Sequence, residues 1–266
     1  MKDSIDIEKL NKYALKRFDD YQNLDIRGVE VSSPYYSNNV EYLFLDMMER
    51  AGVTGTKRQK VHNLYKTRKV SHGWYRGKGT PEQIIDATKQ IAKDAGINLR
   101  NATDKGIRAY MFQFSLGIDC SGLIYELLRY SFKRVKKLTE FKASLNWEDP
   151  KKKRASRAGT FIFGEPASIR IEPDEIRPLD FVMKKNLKDQ KYTHMGMILR
   201  KKGKGLVVVQ SSMSTSPNGV NMSKIRIVNN VPKFEFKPTF SVPWEKHFKR
   251  GKLEFRRLKI LTNQTK

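Results

Sequence analysis

One cysteine occurs in 266 residues, in the stretch Gly117-Ile118-Asp119-Cys120-Ser121-Gly122-Leu123-Ile124. Asp119 has the side chain of a helix N-cap, which puts Cys120 at the first helical position. There the unpaired amides and the positive end of the dipole favour a thiolate, the nucleophilic form of cysteine. A lone cysteine also serves as a small buried hydrophobe; the small and polar neighbours Asp119, Ser121 and Gly122 favour a site instead, by leaving room for a substrate. His194 and Gln210 lie on two β-rich segments, Thr193 to Leu199 and Gly205 to Gln210, joined by the polar loop Arg200-Lys201-Lys202-Gly203-Lys204. A hairpin centred on Lys202 sets His194 directly opposite Gln210 on one face. The Gln210 side-chain carbonyl then accepts from one imidazole nitrogen and the other faces the thiol. A nucleophile, a base and an orienting group are thereby brought together.

Those residues need elements to hold them. Leu123, Ile124, Leu127, Leu128 and Val135 recur at helical spacing, so the segment from Cys120 to about Lys136 reads as a helix with an inward apolar face. Thr80-Pro81-Glu82-Gln83 opens another helix, with a Thr cap, proline at the first position and glutamine completing a capping box; Ile84, Ile85, Ala87, Ile91 and Ala92 form its stripe and Gly96 ends it. Ser4 to Tyr21 is amphipathic through Ile7, Leu10, Tyr13, Ala14 and Phe18. Helices around Val40 to Met47 and Lys57 to Lys69 follow, the latter with His62 as a surface or packing residue. The aromatic, glycine-rich Ser71 to Gly79 marks a boundary, dividing a helical N-terminal region at 1–75 from a second domain at 76–266. After Pro173 the period changes to strand-like over Asp180 to Met183, Thr193 to Leu199, Gly205 to Gln210, Lys224 to Val228 and Leu253 to Leu258. Helices first and an antiparallel sheet later make the class α+β.

Composition narrows the chemistry. One cysteine excludes an intramolecular disulfide framework and a cysteine-rich zinc site, and the four histidines lack metal-ligand spacing, so neither metal nor cofactor is expected. A net charge of +25 favours anionic partners. Met1 to Glu8 has no apolar export signal, and no stretch reaches the length needed to span a bilayer.

The ordered motifs resemble those of the NlpC-type peptidases, papain-like cysteine peptidases of bacterial cell walls. The resemblance rests on Asp119-Cys120-Ser121-Gly122-Leu123 opening a helix, Arg177-Pro178-Leu179-Asp180-Phe181-Val182 entering a strand, Thr193-His194-Met195-Gly196-Met197-Ile198 on the next strand, and Gln210 followed by Gly219-Val220. It spans roughly Thr80 to Leu258. It implies a papain-like fold with the nucleophile helix packed on the sheet, and hydrolysis of an amide bond in peptidoglycan stem peptides through an acyl-enzyme. Cys120 is the nucleophile, His194 the base, Gln210 the third polar group, and the Cys120 amide an oxyanion donor. Asp119 and Ser121 are implied as contacts for the stem's free amine or its neighbouring polar groups, with Asp119 equally readable as the helix cap. Tyr110 is the nearest counterpart of a tyrosine the family carries upstream of the nucleophile, although Met111-Phe112-Gln113 replaces the rest of that motif. The family usually has glycine where Leu179 stands. Location is left between the cytoplasm and the bacterial envelope reached without a conventional signal.

Residues 133–157 form a basic insertion, with ten lysines and arginines against three acidic residues, a net of +7. The usual reading is a solvated loop. Lys151, Lys152, Lys153 and Arg154, with Trp147 and Phe141 nearby, are the alternative: a grip on an anionic polymer or nucleic acid. Two other functions fit the sequence, a papain-like thiol acyltransferase and a basic polyanion-binding protein on the same fold.

Overall fold

The structure, a computed structural model, describes residues 5–36, 77–114, 116–148, 151, 153, 157–213, 218–234 and 244–262. Among these the protein is α+β, with six α-helices, a two-stranded hairpin and a curled seven-stranded antiparallel sheet. The helices expected at 40–47 and 57–69, with His62, and most of the boundary loop lie outside the described residues.

Helix α1 (Ile7–Gln22) starts at Asp6, whose carboxylate accepts the Lys9 amide. It buries Leu10, Ala14, Phe18 and Tyr21, and with them Arg17, a cation that hydropathy spacing leaves outside the stripe. Arg17 is accommodated because Glu82 accepts from both of its terminal nitrogens, at 2.6 and 2.8 Å, and its guanidinium lies over the Tyr130 ring. Strands β1 (Leu24–Ile26) and β2 (Val29–Val31) form a hairpin across Arg27-Gly28, both at positive φ, as a two-residue primed turn requires. The described part of the first 75 residues is therefore not helical throughout.

Helix α2 (Pro81–Ala95) has the full capping box between Thr80 and Gln83 and a left-handed Gly96 at its end. Helix α3 (Asp104–Gln113), capped by Thr103, was not marked in the sequence by any apolar period strong enough to read. Helix α4 (Cys120–Arg134) is buried at every position from Cys120 to Leu128, because α1 covers one side and the sheet the other. Helix α5 (Leu138–Ser144) lies in the basic insertion, so that segment is not simply a solvated loop. Phe141 stacks on Phe132 with ring centres 4.8 Å apart, and Trp147 meets Tyr125 edge-on while donating its indole N–H to the Lys142 carbonyl. Both aromatics belong to the core and are unavailable to grip a polyanion.

The sheet contains β3 (Ser168–Ile171), β4 (Phe181–Lys185), β5 (Tyr192–Lys202), β6 (Gly205–Ser212), β7 (Gly219–Val228), β8 (Val231–Phe234) and β9 (Leu253–Leu258), in the order β3-β9-β4-β5-β6-β7-β8. Met195, Met197 and Val209 face the helices and share one core with α1 and α4. Val182, Ile198, Leu206, Val208 and Ile225 form a second core on the opposite face, where Phe248 of α6 (Trp244–Lys249) packs.

Candidate active site

Three separate segments hold the turn that presents Cys120. The Asp119 amide donates to the Gly77 carbonyl at 2.9 Å, the Ile118 amide to Pro34 at 3.1 Å, the Tyr36 amide to Ile118 at 3.3 Å, and the Ser211 hydroxyl to the Ile118 carbonyl at 2.6 Å. Residues 34–36 thus run beside the nucleophile turn. Asp119 accepts the Gly122 amide at 2.6 Å as the N-cap. Gly122 is required by this crossing: a Cβ there would stand 2.2 Å from the Gly77 carbonyl oxygen. The space its missing side chain leaves is filled by protein backbone, not kept open for a substrate.

Cys120 is buried, and burial pushes its thiol up to about 11, with the Asp119 charge adding to the rise. Lys78 and the backbone amides of Met195 and Ser121 oppose this without overturning it. The helix terminus therefore does not yield a resting thiolate, as its position in the sequence suggests it should; desolvation and a neighbouring carboxylate outweigh the end of the dipole. The Met195 amide at the sulfur also places Cys120 beside the residue that follows His194 in β5.

His194 Nε2 and Gln210 Oε1 are 2.7 Å apart, so the expected partnership is present. Its geometry differs from direct opposition. The hairpin turns tightly at Gly203-Lys204, with Lys202 paired to Gly205, and a bulge between Ile198 and Arg200 brings Met197 opposite Val209. One step further, this register sets Gly196 opposite Gln210, making His194 a diagonal neighbour still within side-chain reach. The hairpin was expected to be centred on Lys202; the tighter turn and the bulge shift the pairing by two residues, which preserves the face. Gln210 is fully buried, and its amide nitrogen donates to Ser223 at 3.2 Å and to Asn221 at 3.4 Å. That orientation turns the carbonyl toward the imidazole. Burial holds the His194 imidazole below its usual range, against the raising effect of Gln210. Thiol and imidazole are thus both neutral at rest.

Lys78 is the residue the sequence did not offer as part of the site. Its ammonium donates to both Asp119 oxygens at 2.6 Å and to the Ser121 hydroxyl at 2.5 Å, and all three side chains are buried. Ser121 donates in turn to Asp119 at 3.0 Å. A buried lysine is expensive unless its charge is matched, and the Asp119 carboxylate matches it. In the sequence it stands within the glycine-rich stretch Ser71 to Gly79, which reads as a boundary loop. The acceptors that the resemblance assigns to a substrate amine are engaged by an amine of the protein itself.

Tyr110 lies in α3 against Phe114, ring centres 4.6 Å apart. Among the described residues its buried hydroxyl has no hydrogen-bond partner, and burial together with Asp94 keeps it protonated well above the normal tyrosine range. This is the setting of a packing residue. Of the basic cluster, Lys151 is exposed and Lys153 partly so, while Lys152 and Arg154 lie outside the described residues. No group of three or more metal-ligating side chains occurs among the described residues, and no described helix is long and apolar enough to cross a membrane. Comparison with family models, curated proteins and solved structures finds no match to this chain.

Proposed function

We propose that this protein is a papain-like cysteine hydrolase that cleaves amide bonds in peptidoglycan stem peptides. The carrying observation is the buried Gln210 carbonyl held 2.7 Å from His194 Nε2, on the strand whose next residue presents its amide to the Cys120 sulfur. With Nε2 committed to Gln210, Nδ1 is the nitrogen that exchanges a proton with the thiol. Cys120 attacks the carbonyl carbon as its proton passes to His194, and the imidazolium then protonates the departing amine. Water attacks the thioester, returning the proton through His194 and freeing the acid. The Cys120 amide, at the helix start, stabilises the tetrahedral oxyanion. The positive φ of 73° at Leu179 supports the reading further: a left-handed residue at that position is what the glycine of the resembling family accommodates.

Lys78 bears on the substrate. Because its ammonium fills the Asp119 and Ser121 acceptors, the substrate bond does not need a free amine held at those two residues, and peptides blocked at the amino end are substrates too. Wild type and Cys120→Ala are incubated with peptidoglycan and with free and N-acetylated stem peptides, and products are read by mass spectrometry. Cleavage by the wild type alone is expected. No cleavage by either protein in reducing buffer would overturn the hydrolase reading, and transfer of the acyl group to an added amine in place of water would convert it to acyl transfer.

A further inference from the structure

Away from Cys120, the turn end of β5, β6 and β7 carries a groove of about 460 Å³ whose described lining residues include Arg200, Lys202, Lys204, Lys224 and Arg226 and no acidic side chain. The strand register orders four of these. Arg200 is paired with Val207 and Val207 with Lys224; Lys202 is paired with Gly205 and Gly205 with Arg226. Directly opposed residues share a face, so the cations stand in two cross-strand rows, with Gly205 and Val207 as a low floor between them. Adjacent strands are about 4.8 Å apart, which sets the two cationic walls roughly 10 Å apart at the backbone, with successive cations along each wall about 7 Å apart. All four are exposed. Among the described residues, no hydrogen bond or salt bridge engages the side chain of Arg200, Lys202, Lys204 or Lys224.

Cations gathered on β5 and β7 on either side of β6 repel one another, and nothing in either core calls for them. They suit a ligand that supplies negative charge along a line. We propose that this groove binds the phosphodiester backbone of a linear polymer lying along β6. Among the described residues no aromatic side chain lines it, so these residues supply no stacking platform for bases and suit contact with the backbone. The site stands on β5–β7 geometry, independently of the chemistry at Cys120, and it is separate from the Lys151 to Arg154 cluster.

The test uses the full chain carrying Cys120→Ala, so that no hydrolysis intervenes. Fluorescence anisotropy is measured with a labelled oligothymidylate and, separately, a labelled glycerol-phosphate polymer, over a series of salt concentrations. Binding to at least one polymer is expected, and the polymer bound names the source of the phosphodiester. Arg200→Glu with Lys224→Glu is expected to weaken it at least tenfold and, for the oligothymidylate, to flatten the logarithmic salt slope by about 1.4, two contacts at about 0.7 each for a single strand. Lys151→Glu with Lys153→Glu is expected to leave it unchanged. Circular dichroism of each variant confirms that the fold is kept. Absence of binding to either polymer, or equal binding by the β5–β7 charge-reversal variant, would overturn the proposal.

Discussion

Asp119 combines three tasks in one carboxylate: it caps α4, neutralises buried Lys78 and sets the field at the Cys120 sulfur. The first was legible from residue type and spacing. The second was not, because the ion pair joins residues 41 positions apart, and no periodicity reports such a pair. The third has a measurable sign. Asn caps a helix about as well as Asp, so Asp119→Asn keeps the cap while removing the charge that raises the thiol and leaving Lys78, which lowers it, unmatched. The midpoint of Cys120 alkylation against pH is then expected to fall below about 11, measured with iodoacetamide and intact-mass detection. An unchanged midpoint would show that burial alone sets the thiol. On the acid side, the proposed base must be neutral to accept a proton. The lowered His194 value keeps it so further into acid, and the acid limb of kcat/KM should fall below the ordinary histidine range near 6.5.

At the scale of elements, the caps and the strand-rich second half were readable because they depend on neighbours in sequence. The Thr80 box and the left-handed Gly96 occur where the residues indicate. The register of β5 against β6 differs by two residues from the one the loop suggests, because a bulge leaves no mark in the hydrophobic alternation. The insertion of β9 between β3 and β4 is a matter of strand order, which residue patterns do not encode. Leu179 shows local preference yielding to packing. A left-handed backbone costs a leucine about 1–2 kcal/mol, yet the fully buried side chain contributes more, since truncating a buried leucine costs about 2–5 kcal/mol. Leu179→Gly and Leu179→Ala are both expected to destabilise the fold. Glycine should be the better of the two by about 1 kcal/mol in chemical denaturation, reversing the ordinary order. Greater stability of the alanine variant would contradict the assigned backbone conformation.

Over the whole molecule, one core joins α1, α4 and the inner sheet face while a second lies on the outer face. The nucleophile turn sits where α4, β6 and the segments around Pro34 and Gly77 cross. A net charge of +25 predicts an anionic partner but not its place; the sequence pointed to the insertion, where the aromatics turned inward, and the sheet register points to β5–β7. The central claim, that Cys120 and His194 act as one unit, is tested most directly by the rate of Cys120 alkylation near neutral pH in wild type and His194→Ala. The single cysteine makes intact mass an unambiguous readout. If His194 draws the proton from the thiol, the variant should react about a hundredfold more slowly, with its circular dichroism unchanged. Equal rates in the two proteins would contradict the account, leaving Cys120 a buried thiol beside an unrelated histidine.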